Sequence, residues 1–261
     1  YSRRKAVLKR AESTSGSAIA TPDQHVYCLQ LTEGASVHDP FYDFFPKREP
    51  VALISGEIAL VTIDLQYLDA HPKGWVGRVA DADGRPELLN QRWEGIEAIL
   101  PKIRSIQDAF RKAGEEVMHV RVAYRTKDGR DAGTAFMPST DVEPLPRDDQ
   151  DDDFLPEVAP VGDEIVFSKT TSSVFNSTGV DKVLQRMGIK HLVITGIVTD
   201  GCVELSSRDA ADRGYAVTLI TDGCSASTPE AHDDALDRMN DGGFIGLKTA
   251  QQIVEEVLAL G

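Results

Sequence analysis

Cysteine is scarce in this chain. Its three residues, Cys28, Cys202 and Cys224, occur in 261 positions with no CxxC spacing among them. That excludes a disulfide framework and a paired-cysteine metal motif, and it points to a reducing compartment. Long apolar runs are missing too: no stretch approaches the eighteen or so residues of a membrane span. Basic charge is in deficit, with 28 Lys and Arg against 42 Asp and Glu, a net charge of −14 and a pI near 4.8. Nucleic acid and anionic membrane surfaces are therefore not expected partners.

What the chain does have is ample core material, 41% hydrophobic residues, and length for one large α/β domain or two small ones. The densest acidic run, Asp148–Asp153 (DDQDDD), lacks the Gly and Glu spacing of an EF-hand and reads as a solvated loop. The first ten residues, YSRRKAVLKR, carry five basic groups, and ESTSGS follows. A transit-peptide remnant, a flexible basic arm and an arbitrary chain boundary all fit. The expected location is cytoplasmic, or organellar if that segment is a transit remnant.

Residues 1–50 are rich in turn formers and aromatics (HDPFYDFFPKREP) without periodicity, and read as an N-terminal extension to a domain spanning residues 51–261. From there strand and helix patterns alternate. Ile58–Ile63 (IALVTI) predicts a strand ending at Asp64, and a helix around Gln91–Lys112 stops at Gly114. Strands follow at Val117–Tyr124 and Glu164–Phe167, then a helix at Val180–Met187 and a strand at Lys190–Thr195. Cys202–Arg213 predicts a helix closed by Gly214. A strand at Ala216–Ile220, a helix with Pro229 near its first turn, a strand at Phe244–Leu247 and a helix capped by Thr249 complete the pattern. Such alternation implies a mostly parallel sheet with helices on both faces, an α/β fold.

Ligands of open α/β sheets bind at the carboxyl ends of the strands, and three reactive residues are expected there. Asp64 ends the first strand, Lys169 lies two residues past the EIVF strand, and Cys202 follows the strand ending in Thr195. A thiol at the start of a helix meets unpaired N–H groups and the positive end of the macrodipole, which favour a thiolate or an oxyanion. Aspartate supplies a base and lysine a charge partner. Each residue alone also has an ordinary structural reading: a buried small hydrophobe, a strand-end cap, a surface lysine.

The segments ALVTIDLQ, FSKTTSSVFNST, ITGIVTDGCVELSSRDAADRGY and VTLITDGCSASTPEAHDDALDRM resemble the isochorismatase-like cysteine hydrolases over roughly residues 57–258. The resemblance implies a three-layer α/β/α sandwich in which Asp64, Lys169 and Cys202 form the catalytic triad. It also implies a non-prolyl cis peptide between Ile197 and Val198, which aims the Val198 N–H, with that of Cys202, into an oxyanion hole. Thr199 and Asp200 would shape that turn. The implied chemistry is thioester-forming hydrolysis of a carboxamide or ureide, in a homodimer or homotetramer.

Family members with a metal carry an Asp-x-His pair and a further His after the second strand. Here YRTKDGRDAGTAFMPST, residues 124–140, has no histidine, so no metal and no cofactor are expected. True isochorismatases generally lack the cysteine. The metal-free amidohydrolase branch remains, with ureidoacrylate, N-carbamoyl, biuret-like or maleamate substrates; a vinyl-ether hydrolase and a non-catalytic binding homologue are the alternatives. A redox pairing of Cys202 with Cys224 is disfavoured because they lie on different βα units. Tyr67, Trp75, Tyr124, Arg125, Phe136 and Phe175 are candidate substrate contacts, because they follow strand ends or lie in the crossover loop. Arg125 would bind a carboxylate bidentately or form a surface ion pair, and Trp75, in a Pro/Gly-flanked loop, is the lid candidate.

Overall fold

Ile58–Ile63 forms strand β1 and is buried along its whole length, as an apolar, β-branched run must be when helices cover both of its faces. It occupies the centre of a sheet described by a computed structural model, whose described residues are 41, 44, 51–126, 129–132, 149–241 and 243–261. The N-terminal extension, apart from Phe41 and Phe44, and Phe136 lie outside the described residues. The other strands are β2 (Glu116–Val122), β3 (Ile165–Lys169), β4 (His191–Ile197), β5 (Ala216–Ser225) and β6 (Ile245–Lys248). All pair in parallel in the order β3-β2-β1-β4-β5-β6.

The period-two alternation of strand side chains divides the core. Ala59, Val61 and Ile63 pack in one cluster with Val180, Leu184, Ala210, Ala235 and Met239. Those partners come from helices α5 (Val180–Met187), α6 (Glu204–Asp212) and α7 (Pro229–Asp241). Ile58 and Leu60 point the other way, to Ile106, Phe110, Ile253 and Val257 of α3 (Asn90–Ala113) and α8 (Ala250–Leu258). The result is the expected three-layer α/β/α sandwich. Short helices α1 (Tyr67–Ala70), α2 (Trp75–Ala82) and α4 (Val174–Ser177) lie in the connections after β1 and β3.

Several expected boundaries move. β3 continues two residues further, so Lys169 is its last residue rather than a loop residue. β5 runs five residues beyond Ile220, because its pairing with β4 shifts between Ile194 and Gly196 and resumes at Cys224 and Ser225. The acidic run is also less solvated than its composition suggests: Asp151 is buried and bound by Arg78 at 2.7 Å.

Two features fix the sheet where it matters. Gly196 has φ +118°, and a Cβ there would lie 2.1 Å from the Ile63 carbonyl oxygen. Glycine is therefore required for β4 to lie against the end of β1. On the α3 side, buried His119 bridges Thr62 Oγ1 (3.0 Å) and Glu164 Oε2 (2.9 Å), and Arg111 grips Glu164 through Nε and Nη2 at 2.7 and 3.0 Å. Burial pushes the Glu164 carboxyl up, but hydrogen bonds from Arg111, the Val161 N–H and His119, with the Arg111 charge, outweigh it and bring it down to about 2.

A depressed carboxyl stabilises the fold above its unfolded value of 4.5 and loses that contribution as pH falls through about 2. In urea titrations the stability gap between wild type and Glu164→Gln is expected to shrink steadily over that window; a constant gap would show that the charge contributes nothing. Gly196→Ala is expected to lower stability by about 3 kcal/mol in the same assay.

Candidate active site

The carboxyl ends of β1, β3 and β4 bring Asp64, Lys169 and Cys202 together. Asp64 follows β1 directly and has φ 55°, in the left-handed region that few non-glycine residues enter and Asp tolerates better than most. Its N–H donates to Val120 O at 2.9 Å, which ties this turn to β2. Lys169 sits two strands from β1, so its side chain crosses the end of β2, a span of roughly 10 Å at normal strand spacing. Its Nζ lies 2.7 Å from Asp64 Oδ2, and both side chains are 0% exposed. The same Nζ donates to Cys202 Sγ at 3.2 Å. One ammonium thus touches both other members.

Cys202 is not the first residue of a helix. It lies inside a kinked turn, Thr199–Val203, in which Gly201 departs from helical angles (φ −134°, ψ −106°); α6 begins at Glu204. The preceding Ile197–Val198 peptide is cis. Val198 O accepts from Gly201 and Val203 N–H groups at 2.9 and 3.2 Å, which folds the turn back on itself. Thr199 is buried and its Oγ1 lies 2.7 Å from His232 Nδ1 of α7, fastening the turn to the next βα unit.

Electrostatics set the resting protonation. Burial raises the Asp64 carboxyl, and the Lys169 charge and hydrogen bond oppose it. Burial works against a charged Lys169, but the Asp64 charge and Cys202 outweigh it and leave the ammonium more firmly protonated than usual. Burial first, and then the Asp64 charge, hold the Cys202 thiol well above its ordinary value. The resting cysteine is therefore a thiol. The desolvation of a residue only 7% exposed and the Asp64 carboxylate dominate.

The other expected site residues separate. Tyr67 opens α1, with its N–H on Asp153 O at 2.9 Å and its ring against His71. Trp75 is the first residue of α2 rather than a loop residue, and its buried Nε1 has no hydrogen-bond partner among the described residues. Tyr124 follows β2 and is half-buried. Arg125 is exposed and reaches the Ser177 carbonyl at 3.2 Å. Phe175 belongs to the core, beside Tyr215 and beneath the Arg213 guanidinium.

A second ionic pair escaped the sequence reading. Asp69 of α1 and Arg92 of α3 meet at 3.5 Å, with side chains 18% and 8% exposed. Burial pushes the Asp69 carboxyl up to about 7 against the pull of Arg92, and Asp64 and Lys169 act on it as well. The signal was present in α3: an arginine stands one turn before Ile96, Ile99, Ile103 and Ile106, on the stripe that faces the sheet.

Comparison with known proteins agrees with this architecture. Residues 59–251 match the isochorismatase domain. A ureidoacrylate amidohydrolase of Agrobacterium fabrum is 28% identical over 191 residues, which are 67% of this chain and 79% of that protein. An N-carbamoylsarcosine amidase of an Arthrobacter species is 30% identical over 125 residues, 46% of this chain and 47% of that protein. Among solved structures, a cysteine hydrolase from Pseudomonas syringae superposes with TM-score 0.66 at 22% identity, covering 82% of this chain and 97% of that one. An isochorismatase family protein from Desulfovibrio vulgaris superposes with TM-score 0.61 at 27% identity, covering 78% and 98%. With its matched domain, parallel sheet and strand-end residues, this chain belongs to the isochorismatase family.

Proposed function

We propose that the protein is a cysteine-dependent hydrolase of the C–N bond in a small carboxamide or ureide, with Asp64, Lys169 and Cys202 as its catalytic residues. The observation that carries this reading is the position of Lys169 Nζ, 2.7 Å from Asp64 Oδ2 and 3.2 Å from Cys202 Sγ. Moving a proton from the thiol to Asp64 turns carboxylate plus thiol into carboxylic acid plus thiolate. The buried net charge is unchanged, and the ammonium contacts the negative centre before and after. A thiol that burial holds protonated thereby gains access to its nucleophilic form only when Asp64 accepts its proton. The names of the amidohydrolase and amidase relatives support the substrate class.

In the reaction, Asp64 takes the Sγ proton as Sγ bonds to the carbonyl carbon and the carbonyl π pair moves to oxygen. The N–H groups of Val198 and Cys202 receive this oxyanion. Collapse breaks the C–N bond while Asp64 returns its proton to the departing nitrogen, leaving a thioester. Water then gives a proton to Asp64 and attacks the thioester carbon. The C–S bond breaks, and Asp64 reprotonates the sulfur. Lys169 stays charged throughout.

Ammonia release from a panel of maleamate, N-carbamoyl amino acids, biuret and ureidoacrylate is expected from the wild type with chelator present, and to be lost in Cys202→Ala. Equal release by both proteins, or none from any compound, would overturn the proposal. Lys169→Met leaves Asp64 buried without its counter-charge. It is expected to abolish turnover and to cost about 3–5 kcal/mol of stability in urea unfolding, whereas Cys202→Ala, which removes no charge, stays within about 1.5 kcal/mol of wild type.

A further inference from the structure

Gln66 lies two residues past Asp64 with its side chain fully buried, and both ends of its amide are engaged. Oε1 accepts from the Val122 N–H at 2.6 Å, while Nε2 donates to the Val122 carbonyl and to the Asp151 carbonyl, each at 2.9 Å. The two bonds to Val122 fall where a strand would have made them. β1 pairs with β2 as far as Ile63 opposite Val120, and the Asp64 N–H adds a bond to Val120 O at 2.9 Å. Were the parallel ladder to continue, the Val122 N–H would donate to the Asp64 carbonyl and Val122 O would accept from the Gln66 N–H. The Gln66 side chain supplies both instead. A primary amide carries the same acceptor and donor as a peptide group, so the side chain completes a rung that the main chain has left.

The main chain is thereby released at Asp64. Leu65 O accepts from the Leu155 N–H and the Tyr67 N–H donates to Asp153 O, both at 2.9 Å, and Gln66 stands opposite Phe154 in an antiparallel bridge. Asp64, at φ 55°, is the point of departure. The rung matters because of what crosses it. Val122 stands opposite Lys169 in the pairing of β2 with β3, and the Lys169 side chain passes this end of β2 to reach Asp64 Oδ2 at 2.7 Å. Gln66 thus holds the residue that separates the two members of the ion pair. Without it, two buried main-chain groups of Val122 lose their partners, and the strand end must move to recover them.

We infer that Gln66 is a positioning residue whose side-chain amide stands in for a peptide group between β1 and β2, letting the chain turn at Asp64 and fixing the Asp64 carboxylate against Lys169 and Cys202. It acts through Asp64 and not on the substrate. This role deepens the hydrolase reading and rests on it.

The test uses the full chain and whichever compound of the amide panel the wild type turns over fastest. Gln66→Met keeps the length of the side chain and loses all three hydrogen bonds. It is expected to lower kcat about 100-fold, the effect of a small misplacement of a reacting group, with KM changed less than about threefold. The pH dependence of Cys202 alkylation by iodoacetamide, read by mass on the Cys202 peptide, follows the same displacement without turnover. Because the Asp64 charge helps hold the thiol protonated, Gln66→Met is expected to shift the alkylation midpoint down toward that of Asp64→Asn. Added to Asp64→Asn, it is expected to shift it no further. Equal shifts with and without Asp64, or a loss in KM as large as that in kcat, would leave Gln66 a stabilising residue only and overturn the inference. Gln66→Glu carries the comparison if the methionine variant does not fold. Protonated, the introduced carboxyl still accepts from the Val122 N–H and donates once; ionised, it faces the Val122 and Asp151 carbonyl oxygens with Asp64 two residues away. Its kcat is expected to fall across the neutral range, where a buried carboxyl ionises, on a limb that the wild type lacks, and a profile parallel to wild type overturns the inference. A wild type inactive on every compound overturns the hydrolase reading instead. The alkylation midpoints then judge positioning alone: a shift that needs Asp64 supports it, and one that does not, or no shift, overturns it.

Discussion

A charge pair with no exposure to water, Asp64 with Lys169, is the constraint around which the rest is arranged. Moving two ions out of water costs several kcal/mol each, and their attraction offsets that only at close range and with good geometry. The fold meets the requirement at long reach. Lys169 stands on an edge strand and Asp64 directly after a central one, so β2 must lie between them in fixed register, with Val122 opposite Lys169 and Val120 opposite Ile63. A one-residue slip would turn Lys169 to the other face of the sheet and leave a carboxylate alone in the core. The hydrophobic contacts that hold β1, β2 and β3 in register thereby also hold the ion pair at 2.7 Å.

The order of the strands explains why this chemistry sits where it does. β1 and β4 are neighbours at the point where the chain's winding reverses, and crossovers leaving opposite faces open a crevice there. Departures from regular backbone collect at the same edge: left-handed Asp64, positive-φ Gly196, the cis peptide before Val198 and the kink at Gly201. Elsewhere the elements obey ordinary rules, as in the capping box of Thr249 and Gln252 that opens α8. Irregular backbone is retained where side chains must be aimed, and the regular sheet around it supplies the rigidity.

Much of this was legible because it follows from local pattern. The span of β1 is set by an apolar run that stops at a charged residue, and α5 by an amphipathic repeat closed by Gly188, which is left-handed here. What depends on partners was not legible. β5 extends through the polar segment TDGCS because β4 supplies a second pairing after a shift in register. The Thr199–Val203 turn forms from Gly201 and from contacts with α7, so composition alone read Cys202 as the start of a helix. Arg92 offered a clue by standing at the head of an apolar stripe, but its meaning lies in Asp69 and Ser227, 23 and 135 residues away.

Among the described residues, the buried cations at this strand edge are each matched by an acidic partner, inside a chain of net charge −14. That difference decides what such a crevice accepts. The acidic surface slows the approach of anions without barring them, while the buried cations among the described residues, Lys169 and Arg92, are already held by a carboxyl or carbonyl group. Among the described residues, a free carboxylate placed beside Cys202 would find Lys169 already engaged and would face Asp64. An uncharged amide end enters without disturbing either pair: its carbonyl oxygen seeks donors and its nitrogen offers hydrogens to an acceptor. The electrostatics that keep the thiol protonated at rest also favour a substrate whose reacting end is neutral.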